Sequence, residues 1–169
     1  ATTATRAPDF AFSPHPKPGD AQTFAQHLVE PGNKSKVFGG DGSNDATAFK
    51  AAGSYVSNFA PDITVLKADA SLVATWKKAN PGKSLGSFGP PTYGAVQVIL
   101  LGLKAACDKG HGKLKARGAV IQNVRKVKIN KGWILGGKFA WSKVNSNDPN
   151  TSKFYIMQIQ SDGSYKVVN

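Results

Sequence analysis

Between residues 9 and 62 the chain alternates short apolar runs with helical spacing, and this rhythm restricts the fold more than any other feature. "DFAFS" alternates as a strand does, and "PHPKPG" breaks it with prolines at 14, 16 and 18. Asp20 is then placed to cap a helix whose apolar residues Ala21, Phe24, Ala25 and Leu28 recur at helical spacing. "PGNKS" ends that helix. The run "KVFGG" reads as a second strand, residues 45–52 as a further helix, and "SYVSNFAPD" as a third strand closed by proline. Strand, helix, strand, helix, strand at these short intervals predicts an α/β fold built on a parallel sheet. Such a sheet needs helices on both faces.

The remainder keeps that character until about residue 128. A helix is expected over Asp69–Ala79, presenting Leu72, Val73 and Trp76. Thr92–Cys107 is the most apolar segment of the chain, and Tyr93, Val96, Ile99, Leu100 and Leu103 leave it scarcely a polar side. A helix apolar nearly all round is a buried one. A third helix over Lys113–Val127 would turn Val120, Val124 and Val127 inward. "GWILGGKFAWSKV" then reads as β structure, and "KFYIMQIQ" and "SYKVV" as a hairpin turned at Asp162-Gly163. No internal repeat or low-complexity linker interrupts the chain.

A length of 169 residues suits one domain or part of something larger. Twenty-two basic against ten acidic residues give a formal charge of +12, compatible with anionic partners. The lysines are spread along the chain, and the densest basic group, from Lys113 to Lys131, has no interleaved aromatics for base stacking. It reads as a solvated face. The single cysteine, Cys107, rules out an intrachain disulfide and is expected to be a small buried hydrophobe at a helix end. The residues shown contain no run of about 18 apolar residues and no basic-then-apolar leader, though a leader removed on export would leave no trace.

The chemistry concentrates in "KVFGGDGSND", residues 36–45. A phosphate cradle needs a different glycine spacing and no acid at its centre, which Asp41 provides. A calcium loop fails because its sixth and twelfth positions, counted from Asp41, hold Ala46 and Ala52. Neither His15, His27 nor His111 has a paired metal ligand nearby, and "SLGSFG" is not a nucleophile elbow. What remains is a carboxylate delivered by a parallel strand to the sheet edge where open α/β folds bind ligands. Gly39 and Gly40 would let a ligand approach the backbone. Pattern alone leaves open whether Asp41 meets a ligand or caps a local turn.

Taken together, "KPGDAQTFAQHL", "KVFGGDGSND", "SYVSNFAPDI", "SFGPPTYGAVQVILLGLKAA" and "FYIMQIQSDGSYKVV" resemble the second half of a type I periplasmic solute-binding protein, of the branched-chain amino acid receptor group of ABC transporters. The resemblance covers nearly everything after Phe10. It implies a non-enzymatic two-lobed receptor, periplasmic or anchored at the cell surface, with parallel sheets flanked by helices and no cofactor. Residues 9–59 and 153–169 would belong to the second lobe and residues 62–150 to the first. The crossings at 59–62 and 150–154 would be hinges, with Phe59, Ala60, Pro61 and Lys153 in them. Asp41 falls where the family pairs a carboxylate with the ligand's ammonium, and Gly40 lies beside it. Tyr93, preceded by Pro91, falls where the family has a cleft tyrosine, although a core tyrosine packing its helix is the competing reading. His15 lies in the loop 13–16, where relatives contribute a wall, and departs from the aromatic residue found there. The implied partners are a small amino-acid-like ligand, ABC permease subunits, and a missing amino-terminal half or complementary chain carrying the ligand's carboxylate site. No nucleic acid partner is expected from the resemblance. Aromatic acids, amides or urea are the alternative ligands, and a basic nucleic-acid-binding module is the alternative of another class.

Overall fold

The computed structural model describes residues 8–29, 33–114, 116–143, 148–149 and 153–168. In chain order its elements are β1 (Phe10–Ser13), α1 (Pro18–Val29), β2 (Lys36–Gly39), β3 (Tyr55–Asn58), α2 (Ala70–Ala79), α3 (Gly89–Lys109), α4 (Arg117–Val124), β4 (Lys128–Ile129), β5 (Phe139–Ala140), β6 (Tyr155–Ile159) and β7 (Tyr165–Val167). They form two compact units, one of residues 1–59 with 154–169 and one of residues 60–153. The fold is α/β, as the rhythm of residues 9–62 predicts.

The first unit is a five-stranded sheet in the order β1-β2-β3-β6-β7. β1, β2 and β3 run parallel, while β6 and β7 are antiparallel additions. Helix α1 opens on Pro18, whose missing N–H falls where a helix has no partner for one. Asp20 therefore sits inside the first turn, where its charge suits the helix dipole, and is not the cap. The buried Ala21 and Ala25 let α1 lie close on Val37, Val56, Met157 and Ile159, and Phe49 fills the same core.

The helix expected over 45–52 is absent. In its place is a short turn at residues 46–48, preceded by a 3-10 turn at Asp41–Ser43. The Asp45 carboxylate accepts bonds from the Thr47 N–H (2.8 Å) and the Thr47 hydroxyl (2.6 Å). Such local side-chain bonds compete with the helical ladder, and over so short a segment they win. Phe49 is instead a buried plug whose carbonyl accepts the Tyr165 hydroxyl at 2.7 Å. Burial pushes that hydroxyl's pKa well above its ordinary value. The closing hairpin forms as expected, with Gly163 at φ 80° and the Ser164 N–H bonded to the Asp162 carboxylate.

The second unit packs Ile63, Val73, Val98, Val127, Ile129, Trp133, Ile134 and Phe139 into one core. Helix α3 corrects the expectation that Thr92–Cys107 is buried all round. Its buried positions are Pro90, Gly94, Val98, Gly102 and Ala106, a stripe of small residues spaced by four. Its large residues Tyr93, Val96, Ile99 and Leu100 are roughly half exposed, at 46%, 47%, 51% and 57%. The cause is backbone approach: a Cβ at Gly102 would lie 2.3 Å from Cγ2 of Val124, and one at Gly94 would lie 2.7 Å from the Trp133 ring. Cys107, next to Ala106, is half-buried.

Helix α4 is shorter than the expected 113–127. Of its valines, Val127 is buried just beyond the helix, and Val120 and Val124 are half-buried. The Trp141 indole N–H donates to the Val124 carbonyl (2.7 Å), satisfying an orphan acceptor at the helix end. "GWIL" is a turn and not a strand, because Gly132 and Gly136 adopt φ of 73° and 79° on either side of the buried Trp133 and Ile134. Among the described residues there, Lys128–Ile129 and Phe139–Ala140 pair as strands and Trp141 makes an isolated bridge to Pro149.

Asp69, at the start of α2, is buried, and its Oδ2 has no hydrogen-bond partner among the described residues. The helix dipole favours its charge, but desolvation is the larger effect and raises its pKa. A carboxyl raised in the folded state stabilises the fold while protonated, and that contribution is lost as pH rises from the ordinary carboxylate value through the raised one. Thermal melts should therefore fall as pH rises through the weakly acidic range, and Asp69→Asn should remove that slope and leave the protein more stable at neutral pH. A second expectation concerns α3: Gly102→Ala should destabilise the fold by about 1–3 kcal/mol in urea titrations through forced separation from α4. Gly118→Ala, where a Cβ meets nothing within 4 Å, should not.

Candidate functional site

The parallel strands of the first unit deliver Ser13, Gly39 and Asn58 to one edge of the sheet, their carboxyl ends. Register pairs Ser13 with Gly39, so the loops that follow β1 and β2 start side by side. They are then tied together. The Ser43 hydroxyl donates to the His15 carbonyl (2.9 Å), and the Ser13 hydroxyl shares a 2.7 Å bond with His15 Nδ1. A Cβ on Gly42 would stand 2.9 Å from both Cα and the carbonyl oxygen of Pro16, so the two loops touch backbone to backbone. The His15 ring lies 6.0 Å from that of Phe24 on α1.

This fastening sets the position of Gly40 and Asp41. Gly40 is extended at φ −76° and ψ −177°, and the space where a side chain would stand is open to 4 Å. Any residue could adopt that backbone, so what the glycine contributes is room. Asp41 follows it as the first residue of the 3-10 turn, exposed, with its carbonyl accepting the Asn44 N–H at 3.1 Å. The Asp45 carboxylate is taken up by the next turn, accepting from the Thr47 N–H and hydroxyl. Among the described residues, that of Asp41 has no hydrogen-bond partner. The structure thus brings His15, Gly40 and Asp41 to one edge of one unit.

Tyr93 and Pro91 belong to the other unit. Pro90, buried, and Pro91, half-buried, form the first turn of α3, and Tyr93 follows with 46% of its surface exposed. The chain passes from the first unit to the second at Phe59–Ala60 and returns at Lys153–Phe154. Ala60 is buried, Phe59 and Pro61 are half-buried, and Lys153 is exposed. Residues 150–152 of the expected second crossing lie outside the described residues. After Pro61 the chain is held by Asp62, whose carboxylate accepts the Thr64 N–H at 2.8 Å and the Thr64 hydroxyl at 2.6 Å.

Of the three polar residues buried at this edge, Ser13, Ser43 and Asn58, the sequence offered Ser13 only as the start of the loop 13–16 and gave no ligand role to Ser43 or Asn58. The signal that could have found them is a small polar residue at or just past the end of each apolar strand run. A groove of about 660 Å³, lined by Gln22, Gln26, His27, Ser35, Lys36 and Ser54 among others, is at the opposite, amino-terminal end of the strands. No group of His, Cys, Asp or Glu among the described residues could hold a metal ion, and no described helix is long and apolar enough to cross a membrane.

No protein-family model and no curated protein matches the chain. Solved structures do. A leucine-binding protein, LivK, from Thermotoga maritima is 15% identical with a TM-score of 0.74, over 96% of this chain and 44% of that one. LivJ, the branched-chain amino acid transporter substrate-binding protein of Streptococcus pneumoniae, solved with isoleucine, is 18% identical with a TM-score of 0.70, over 95% and 44%. A fatty acid ABC transporter substrate-binding protein from Thermomonospora curvata is 19% identical with a TM-score of 0.70, over 95% and 41%. The chain therefore has the fold of the type I periplasmic binding proteins and spans less than half the length of these neighbours.

The two glycines of the turn should behave differently. Gly42→Ala should push the turn off Pro16 and cost about 1–3 kcal/mol of stability by chemical denaturation. Gly40→Ala should change stability by no more than about 0.5 kcal/mol. Equal losses would show that the two loops are not packed as described.

Proposed function

We propose that the chain belongs to an extracytoplasmic solute-binding receptor of an ABC importer, not an enzyme, whose ligand is a branched-chain amino acid or a similar small molecule carrying an ammonium group. One observation carries the reading: an exposed carboxylate, Asp41, without a hydrogen-bond partner among the described residues, stands on a loop tied to its neighbour, at the carboxyl edge of a parallel sheet, where open α/β folds bind ligands. A carboxylate meeting an ammonium in a partly dry site makes a charge-assisted bond of about 1.5–3 kcal/mol. Gly40 leaves room for the ligand, and His15 forms a wall beside it. Tyr93 and Pro91, at the start of α3, contact the ligand from the other unit. Phe59, Ala60, Pro61 and Lys153 act as hinge positions between lobes made of residues 9–59 with 153–169 and of residues 62–150.

The names of the neighbours agree with this class. LivJ was solved with isoleucine, and a substrate-binding protein of Desulfitobacterium hafniense, 16% identical with a TM-score of 0.69, with leucine. The fatty acid neighbour marks the alternative, a ligand with no ammonium. An unpaired carboxylate at Asp41 disfavours it, since an acid ligand would be repelled there. The partners are the permease subunits and the polypeptide that holds the ligand's carboxylate end. Nucleic acid is not among them.

Calorimetry on the intact protein with leucine and with 4-methylpentanoic acid, which lacks the amino group, tests the assignment. The protein should prefer leucine, and Asp41→Asn should weaken leucine binding at least tenfold, which is about 1.4 kcal/mol, while leaving the acid unaffected or improved. Unchanged leucine affinity in Asp41→Asn would exclude the ammonium role.

A further inference from the structure

Charge is divided unequally between the two units. Residues 60–153 carry sixteen lysines and arginines against four acids, while residues 1–59 with 154–169 carry six basic and six acidic residues, so the whole formal charge of +12 belongs to the second unit. The acids of that unit offer its cations little relief. Asp69 is buried, the Asp62 carboxylate accepts from Thr64, and Asp108 is already paired with Lys104 at 2.6 Å. From residue 109 to residue 147 the chain has ten basic residues and no acid.

Packing of α4 on the end of α3 gathers part of this charge into one face. The Lys109 Nζ, in the last turn of α3, donates to the Oδ1 of Asn123 at 2.7 Å, and the buried Asn123 in turn donates from Nδ2 to the Ala119 carbonyl at 2.7 Å. Lys109 is thereby held against α4, where it and Lys126 border a small hollow of about 180 Å³. Arg117, Ile121 and Arg125 recur every four residues, so they form one exposed row along α4. Among these cations stand two large aliphatic side chains, Leu114 at 48% exposure and Ile121 at 57%. Residues 109–132 contain no phenylalanine, tyrosine or tryptophan.

A surface arranged only for solubility intersperses both signs. Cations gathered without acids repel one another and oppose the compact state, and an anionic counter-surface removes that repulsion. We propose that this face of the second unit docks on an anionic phospholipid bilayer. Its lysines and arginines meet the lipid phosphates, and Leu114 and Ile121 enter the boundary between head groups and acyl chains. A single-stranded nucleic acid would call for stacking aromatics, which the face lacks, and a phosphate backbone gives exposed aliphatic side chains nothing to bury against. An acidic protein is the weaker fit, because it would be matched by cations fixed in a shaped pocket, whereas the face offers mostly flexible stems around a small hollow. The inference is independent of the ligand, since it concerns the charge and apolar side chains of one unit alone.

The test is vesicle co-sedimentation of the full translated product of the gene, prepared free of any lipid modification. Vesicles of phosphatidylcholine alone are compared with vesicles of phosphatidylcholine and phosphatidylglycerol. Binding to the mixed vesicles should be tighter by about tenfold or more and should weaken as salt rises. Arg117→Glu with Lys126→Glu should weaken it by about tenfold or more, and the neutral pair Arg117→Gln with Lys126→Gln by a smaller factor. Lys34→Glu with Lys50→Glu makes the same change of charge at exposed positions of the first unit and should leave binding within about twofold. Equal affinity for both kinds of vesicle would overturn the proposal. An equal loss in the Lys34 and Lys50 variant would also overturn it, because the attraction would then be one of net charge and not of this face. So would tighter binding to duplex DNA or to polyglutamate than to the mixed vesicles, because the occupant would then be a nucleic acid or an acidic protein.

Discussion

Parallel strands must be covered on both faces, and much of this structure follows from how β1, β2 and β3 meet that requirement. On one side the demand is met locally. Ala21 and Ala25 are small enough for α1 to lie directly on Val37 and Val56, and Phe49 closes the gap that a second crossover helix would have filled. The price of replacing that helix by turns is small because Phe49 and the Tyr165 hydroxyl meet across the core and bury the plug well. On the other side the same strands carry Phe10, Phe12, Phe38 and Tyr55. Strand direction and strand spacing are therefore set by the α1 face, and these in turn fix which side chains reach the carboxyl edge.

At that edge, rigidity comes from small residues. Gly42 against Pro16, Ser43 on the His15 carbonyl and Ser13 on the His15 ring make two loops into one object. None of these contacts is strong; a single neutral hydrogen bond contributes about 1 kcal/mol. Their effect is on position. Asp41 opens a 3-10 turn that carries no side-chain cap, the Asp45 carboxylate serves the turn that follows it, and among the described residues the Asp41 carboxylate is not spent on the backbone. An unspent charge held still is better prepared to bind than one that must first leave a local partner.

Periodicity made β1, α1, β2, β3, α2 and the β6–β7 hairpin legible in the sequence, since each has apolar residues at the spacing of its own element and a clear terminator. It misled where two structures share a pattern. Residues 45–52 contain helix formers, but Asp45 followed by Thr47 makes a turn with its own side chains. "GWIL" has strand composition, but its flanking glycines take left-handed φ and the run folds back. For the site, Asp41 could be noticed from "GGDGSND" alone. Its proximity to His15 could not, because it arises from the pairing of Ser13 with Gly39, a register that no local pattern encodes.

Helix α3 shows the same limit from another direction. Its sequence is apolar on every side, which suggested uniform burial, yet its two sides are of different kinds. Gly94, Gly102 and Ala106 are small, and the stripe they form buries itself by bringing α4 and Trp133 to backbone distance. Val96, Ile99 and Leu100 are large, and they remain roughly half exposed. Fully burying one such side chain contributes about 1.5–3 kcal/mol, so leaving several of them in water forgoes a sum comparable with a domain's net stability. Small residues select a close helix as neighbour, whereas branched and long ones fill the wider spacing between a helix and a sheet. Size, rather than hydrophobicity, is what distinguishes the two sides of α3, and a count of apolar residues does not see it.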